Sequence, residues 1–393
     1  RLWMDCVDLK FCHNRRYRYP LLGIIAFLQQ KTHITQKFYL TFRPVTLNIH
    51  RNYLQLKPPQ MKNLFLFTIC ILTYLTSTAQ VTYQEFYSSR LDDTRKLKIQ
   101  LPRNYDPDGN RTYPIVLVLD GDYLFEPVAG NVDYFSYWED MPEAIVVGIM
   151  QGNQRYDDTF YDTQNYMPAE SGANFFEFIG LELIPHLDKN YRTAKFIIAV
   201  GHDVTANFLH YYLFKTPVLF NGFVILSPDL SPSMDEWLPN RIPNINEKIF
   251  YYLATGSDDV RSLIESTEIL DRKLKPLKNE SFNYYFDNFE DANHYSLVAR
   301  GIPNALEKLF SIYRPISQKE YTEVLMTTTT PLYDYLMDKY AAIKDLFEID
   351  NPIRINDFLA VGTAAEKRKQ WDALYDLGRL AKQQYPNKVL GSY

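Results

Sequence analysis

Short apolar runs recur through the middle of this chain, and amphipathic stretches separate them. The run PIVLVLD at 114–120 is almost continuously apolar, which is typical of a strand buried on both faces of a sheet. Residues 174–190 instead place apolar side chains mostly three or four positions apart, which favours a helix. This alternation predicts a mainly parallel α/β sheet with helices on both faces. The predicted strands are 82–88, 96–101, 114–120, 144–149, 196–200, 222–226, 248–254 and 282–286. The predicted helices of this region are 174–190, 205–214, 259–274 and 303–313.

One strand of this pattern, 196–200, runs into the pentapeptide Gly201-His202-Asp203-Val204-Thr205 and then into a helix. A strand, a tight turn and a helix form a nucleophile elbow, whose usual sequence is Gly-x-Ser-x-Gly. The third residue is exposed above the sheet edge, and the N–H of the fourth can donate to an oxyanion. The helix N-terminus favours an anion at the third position. In this chain that position is an aspartate, Asp203.

Together with the elbow, several stretches resemble the Putative esterase family of α/β-hydrolases, which includes esterase D-like and iron-siderophore esterases. The resemblance covers about Val81 to Tyr313 and implies the α/β-hydrolase fold, here with a C-terminal helical extension. The matching segments are Val118 to Tyr123, Val147 to Ile149 with Arg155, Phe178 to Thr193, Leu226 to Pro228, and Asn293-His294.

The resemblance also implies roles for individual residues. Asp203 occupies the nucleophile position, His294 the base position and Asp259 the acid position, with Asp258 as the alternative acid. The oxyanion site would use the N–H of Val204 and a second N–H from the loop of Asp122, Tyr123 and Leu124. Two departures from the family pattern stand out. Asp203 replaces the serine, so no acyl-serine can form, and Thr205 replaces the second elbow glycine.

Two interpretations of Asp203 stay open. In the first, the carboxylate attacks without needing a base, because such a group is already ionised at neutral pH. His294, oriented by Asp259, would then activate the water that hydrolyses the resulting ester, as in the similar epoxide hydrolases and haloalkane dehalogenases. In the second, the protein is a non-catalytic member in which Asp203 and protonated His294 form an ion pair and the pocket binds a ligand or partner. We expect Ser227 to be a loop residue and His202 to shape the site.

The segment that begins at Met61 has the pattern of a signal peptide. Met61-Lys62-Asn63 precedes an apolar run at 64–75 and the sequence TSTAQ that ends at Gln80. The run is shorter than the roughly 20 residues that a membrane span needs. We therefore expect residues 61–80 to be removed, residues 1–60 to be an upstream extension outside the working protein, and the product to be exported to the periplasm or secreted.

Composition narrows the chemistry of the remaining chain. All three cysteines (Cys6, Cys12 and Cys70) lie at or before the predicted signal segment, which excludes disulfides and thiol catalysis from the mature part. No metal-ligand spacing is found, so we expect no metal and no cofactor. A net charge of -5 gives no argument for nucleic acid. The expected partner is a small ester-like substrate or ligand, with no membrane span after signal removal.

The predicted hydrolase domain is 81–315, and the character of the chain changes after it. Helices are predicted at 321–345 and 355–385 within a helical tail, 316–393. Trp371, Leu377-Gly378 and Pro386 loosely resemble a tetratricopeptide unit. Two interpretations stay open: the truncated start of a repeat array that binds a protein partner, or a helical extension that packs on the hydrolase domain.

Overall fold

A computed structural model describes residues 81–388, in which eight strands form one sheet in the order β1-β2-β4-β3-β5-β6-β7-β8. The pairs β1–β2 and β2–β4 are antiparallel, and all other neighbours are parallel. The predicted extension 1–60, the predicted signal peptide 61–80 and residues 389–393 lie outside the described residues. The strands are β1 (Val81–Ser88), β2 (Asp93–Gln100), β3 (Tyr113–Val118), β4 (Ile145–Met150), β5 (Thr193–His202), β6 (Gly222–Leu226), β7 (Ile249–Gly256) and β8 (Phe282–Phe289).

Helices cover both faces of the sheet, which confirms the predicted α/β architecture. Successive side chains of β3 alternate between two apolar clusters, with Ile115 and Leu117 in one and Val116 and Val118 in the other. All four are fully buried, as expected of a central strand covered on both sides. The helices of the described region are α1 (Phe125–Tyr137), α2 (Arg155–Asp158), α3 (Glu170–Glu177), α4 (Ile184–Asn190), α5 (Val204–His210), α6 (Met234–Arg241), α7 (Arg261–Leu274), α8 (Ser296–Leu309), α9 (Gln318–Glu320), α10 (Leu332–Phe347), α11 (Ile355–Lys367) and α12 (Trp371–Gln384). A π-helical segment, Phe178–Leu183, joins α3 to α4, and another, Tyr321–Leu325, follows α9.

All eight predicted strands are present, whereas the helix predictions contain several errors. The short helices α2 and α9 were not predicted, and the helices predicted at 321–345 and 355–385 are interrupted at 326–331 and 368–370. Helices α1 and α6 were not predicted either, and α8 begins at Ser296 rather than at residue 303. Each of these last three helices contains a proline: Pro127 in the first turn of α1, Pro239 inside α6 and Pro303 inside α8. Proline lacks an N–H and usually ends a helix, so the local sequence argues against a helix at these positions. Burial of the apolar faces of α1 and α8 outweighs that local preference.

The carboxyl edge of the sheet carries three non-glycine residues with left-handed backbone angles. Asp120 (φ 53°), Asp203 (φ 60°) and Ser227 (φ 43°) follow β3, β5 and β6, which are neighbours in the sheet. Each such conformation costs on the order of 1 kcal/mol and is found mainly where the surrounding structure requires it. Gly201 has no room for a side chain, since a Cβ there would lie 2.8 Å from the backbone of Thr205 and Ala206. The elbow therefore packs backbone against backbone.

The C-terminal helical region contacts the hydrolase domain through the end of α10 and the segment before α11. Phe347 of α10 is fully buried, and its ring centroid lies 5.0 Å from that of Phe196 and 6.3 Å from that of Phe250. The guanidinium of Arg354, which precedes α11, stacks on Tyr313 at 4.1 Å. Helices α11 and α12 form a further apolar cluster. These contacts favour the packed extension, and the tetratricopeptide array stays a prediction. Within residues 81–388, no helix has the length and apolar character needed to cross a membrane.

We predict that Phe347→Ala lowers the free energy of unfolding by about 3–5 kcal/mol, because it empties a fully buried aromatic site between the tail and the sheet. Urea unfolding measures the change. Leu359→Ala on α11 is the control, since Leu359 is 53% exposed and its loss is expected to cost about 0.5 kcal/mol or less. Equal, small effects for both variants would contradict packing of the tail on the sheet.

Candidate active site

The backbone of Asp203 is fixed from three sides at the turn between β5 and α5. Its N–H donates to the carbonyl of Leu226 at 3.0 Å, and its carbonyl accepts from the amides of Asn207 (3.1 Å) and Asp229 (3.2 Å). The backbone angles, φ 60° and ψ -124°, place the residue at the tip of the elbow. Its carboxylate is partly buried and lies at the carboxyl ends of the strands, where open α/β sheets bind their ligands.

Arg155, in the helical turn α2 after β4, binds the carboxylate of Asp203. Its Nη1 lies 3.1 Å from Oδ2 of Asp203, and its Nη2 donates to the carbonyl of His202 at 2.9 Å. The other side of the guanidinium binds Asp120, with Nε 2.6 Å from Oδ1 and Nη2 3.1 Å from Oδ2. Desolvation alone would lower the pKa of Arg155, but the hydrogen bonds and charge of Asp120 raise it. Arg155 is therefore a cation shared between two carboxylates.

Thr205 has a defined place in the same network, although it replaces the second elbow glycine. Its hydroxyl donates to Oδ2 of Asp120 at 2.6 Å and accepts from the N–H of His202 at 3.0 Å. The residue is fully buried. The elbow therefore accommodates a threonine by using its hydroxyl to hold the carboxylate that anchors Arg155.

On the other side of the elbow, His294 lies against a buried carboxylate. Its Nδ1 is 2.8 Å from Oδ1 of Asp259, while Asp258 is not its partner. Oδ2 of Asp259 accepts the hydroxyl of Ser227 at 2.5 Å, and Oδ1 accepts the N–H of Val260 at 2.6 Å. Because Nδ1 faces Asp259, Nε2 is the ring nitrogen available to a molecule in the cleft; it has no hydrogen bond within residues 81–388.

His202 connects the two halves of the site. Its Nε2 lies 3.0 Å from the carbonyl oxygen of His294, and the two rings are 4.3 Å apart between centroids. Burial, reinforced by the charge of His294, lowers the pKa of His202 to about 4. The ring is therefore neutral at pH 7, with Nε2–H donating to the carbonyl. Its Nδ1 then accepts the hydroxyl of Tyr123 at 2.9 Å.

In the loop of Asp122, Tyr123 and Leu124, which was expected to donate a backbone N–H to an oxyanion, two of the three amides already have partners. The amides of Tyr123 and Leu124 both donate to the carbonyl of Asp120 at 3.0 Å, so they are already engaged. The carboxylate of Asp122 faces away from this task and accepts the amides of Gln151 and Gly152 at 2.8 Å each. Tyr123 reaches the site through its hydroxyl. The N–H of Asp122 and that of Val204, the first residue of α5, remain the candidates for donation to an oxyanion.

Two contacts of the site were absent from the sequence analysis. Asp203 makes its ion pair with Arg155 rather than with His294, whose Nδ1 faces Asp259. Ser227 lies in the loop after β6, as expected, but it is fully buried and donates its hydroxyl to Asp259. The signal for Arg155 was its place in the family-like loop after β4. Among the described residues, no cluster of His, Cys, Asp and Glu is arranged to hold a metal ion.

A family model described as Putative esterase matches residues 88–276. The chain is therefore similar to the Putative esterase family over this segment. Its similarity to a crystal structure of an uncharacterised protein from Capnocytophaga ochracea DSM 7271 extends beyond that segment. That protein is 28% identical, with a TM-score of 0.73, and the match covers 80% of this chain and 87% of the other. The match to an esterase family indicates a small-molecule substrate.

Two other proteins are similar to this chain. An IroE-like serine hydrolase from Shewanella oneidensis is 18% identical with a TM-score of 0.60, over 77% of this chain and 99% of the other. At this identity the likeness shows the fold alone, and it confirms the predicted α/β-hydrolase fold. YjcH of Bacillus subtilis (strain 168), an uncharacterized protein, is 22% identical over 240 residues, which are 58% of this chain and 97% of that protein.

We predict that His202→Gln makes the protein less sensitive to acid. Unfolded histidine takes up a proton near pH 6.5, whereas folded His202 does so only near pH 4, so stability falls as the pH drops between these values. The loss is about 3 kcal/mol for this residue. Urea titrations at several pH values give the free energy of unfolding at each pH. Between pH 6.5 and pH 4 this free energy should fall less steeply with falling pH in the variant than in the native protein. His186→Gln, at a more exposed histidine, controls for loss of a titrating ring; equal slopes for native and His202→Gln would contradict the assignment.

Proposed function

We propose that this protein is an exported hydrolase that cleaves a carbon–oxygen bond of a small ester-like molecule, with Asp203 as the nucleophile. The observation that carries the proposal is the pair of His294 and Asp259 beside the elbow. Asp259 is a buried carboxylate, and a buried charge is costly unless it is paired. It holds Nδ1 of His294 and leaves Nε2 toward the cleft, which is the arrangement that a general base needs.

In the first step, Oδ1 of Asp203 attacks a saturated carbon of the substrate. The new bond joins Oδ1 to that carbon, and the bond from the carbon to its leaving oxygen breaks. For an ester the leaving group is a carboxylate, which departs as an anion and needs no proton. Attack on an acyl carbon would instead give a mixed anhydride, so the chemistry of Asp203 favours the alkyl side of the bond.

In the second step, water hydrolyses the ester on Asp203. Nε2 of His294 takes a proton from the water, and the hydroxide adds to Cγ of Asp203. Negative charge then develops on Oδ2, which is the oxygen that Nη1 of Arg155 contacts at 3.1 Å. Collapse expels Oδ1 with the alkyl group, and His294 returns the proton to give the alcohol. Asp203 is left as a carboxylic acid with one oxygen from water, and it regains its carboxylate when it releases the remaining water proton to solvent.

A second candidate function is ligand binding without catalysis, and one observation favours it. The ion pair with Arg155 satisfies the charge of Asp203 inside the protein, as it would in a site that no longer reacts. In that case the same cleft, with His294 and Tyr123 at its sides, would bind an ester-like ligand and release it unchanged. The two functions differ in what the substitution of Asp203 does to turnover.

The decisive comparison expresses the chain from Gln80 and assays alkyl nitrobenzoates and epoxides, which offer a saturated carbon to Asp203, beside nitrophenyl esters, which only acyl attack can cleave. We predict measurable turnover in the native protein and a loss of at least about 100-fold in Asp203→Asn, which keeps the shape but removes the nucleophile. Asp258→Asn is the matched control at the neighbouring acid that does not contact His294, and it should retain activity. A silent native protein together with turnover gained in Asp203→Ser would overturn the proposal in favour of ligand binding.

Export is proposed from the sequence at 61–80. We predict that a protein produced from Met61 in a Gram-negative host appears in the periplasm or medium with a new N-terminus at or next to Gln80. Replacing Leu66 and Phe67 in the apolar run by arginine should keep the product in the cytosol at its full length. Terminal sequencing measures both outcomes, and an uncut N-terminus on the native product would contradict the proposal.

A further inference from the structure

The two oxygens of the Asp203 carboxylate have different surroundings. Oδ2 is bound by Nη1 of Arg155 at 3.1 Å, while Oδ1 makes no hydrogen bond to any residue in the described part of the chain. A carboxylate is symmetric and can exchange its oxygens by rotation about the Cβ–Cγ bond. The asymmetry therefore comes from Arg155 and not from Asp203 itself.

The position of Arg155 does not depend on Asp203. Three other contacts hold the guanidinium: Nε and Nη2 on the carboxylate of Asp120, and Nη2 on the carbonyl of His202. Asp120 is itself fixed, because its side chain is only 2% exposed and accepts the hydroxyl of Thr205. A planar guanidinium held on two edges presents its remaining N–H groups in a fixed direction.

We propose that Arg155 is a positioning residue that assigns the two oxygens of Asp203 to separate tasks. Oδ2 stays on Arg155 throughout the reaction cycle and carries the charge that develops in the hydrolytic step, whereas Oδ1 alone attacks the substrate. This inference rests on the proposed function, since it presumes that an ester forms on Asp203. It adds that the carboxylate does not rotate between turnovers.

Oxygen isotopes distinguish a fixed from a rotating carboxylate. In each cycle Oδ1 leaves with the alcohol and a water oxygen takes its place. If Oδ2 is fixed, many turnovers in water enriched in oxygen-18 leave Asp203 with one heavy oxygen, because the same position is exchanged each time. If the carboxylate rotates between cycles, both oxygens pass through the attacking position and Asp203 acquires two heavy oxygens. Mass spectrometry of the peptide that contains Asp203 counts them.

The experiment uses the native protein, Arg155→Met, Arg155→Lys and a control, Arg103→Met. Arg103 also holds a carboxylate through two nitrogens, at 2.7 and 2.6 Å from Asp133, but on the surface. We expect one heavy oxygen in the native protein and in Arg103→Met, and two in both Arg155 variants. Lysine keeps the charge but has no planar fork to hold both Asp120 and Asp203, so it distinguishes geometry from charge. The variant Arg155→Lys also keeps the isotope test possible if Arg155→Met fails to fold.

Kinetics supply the second readout. Arg155→Lys should lower kcat by about a hundredfold and change KM by less than about threefold, because the lost contact matters when charge develops on Oδ2. Two heavy oxygens in the native protein would overturn the role of Arg155 and leave the nucleophile in place. Turnover by the native protein without any label in Asp203 would overturn the proposed nucleophile, and the role of Arg155 with it.

Discussion

The buried ion pair between Asp120 and Arg155 supports one half of the site. It joins the end of β3 to the turn that follows β4, and through His202 and Asp203 it reaches the elbow after β5. A carboxylate this deeply buried is tolerable only when its charge is paired and its oxygens are hydrogen-bonded. Because Arg155 has donors left over after binding Asp120, the fold can accept a second negative charge at the tip of the elbow.

The other half depends on a second buried carboxylate, Asp259, which gathers Ser227 and His294 from the loops after β6 and β8. His202 links the halves, since one ring nitrogen faces Tyr123 and the other faces the carbonyl of His294. Six strand ends, those of β3 to β8, thus meet at one edge of the sheet, as the topology of a parallel α/β sheet requires. The charged groups face each other across the elbow without competing, because each histidine and each acid already has its own partner.

The sheet and the elbow at Asp203 could be predicted from local patterns, whereas His294 and Asp259, with Asp258 as its alternative, came from the resemblance to a family. Short apolar runs indicate buried strands, and the elbow is recognised because it lies between a strand and a helix. Arg155 contacts a residue 48 positions away and Ser227 one 32 positions away, and local periodicity does not show which distant segments lie side by side. The helices with prolines were missed for a related reason: burial of a whole face overrides a single unfavourable residue.

Trapping the covalent ester on Asp203 tests the central claim most directly. His294→Gln removes the base of the second step but leaves Asp203 and Arg155 in place, so a substrate that the native protein turns over should alkylate the variant and stay attached. Peptide mass spectrometry should then find the alkyl group of the substrate on Asp203. If the variant shows no adduct at Asp203 while the native protein hydrolyses the same compound, Asp203 is not the nucleophile and the account is wrong.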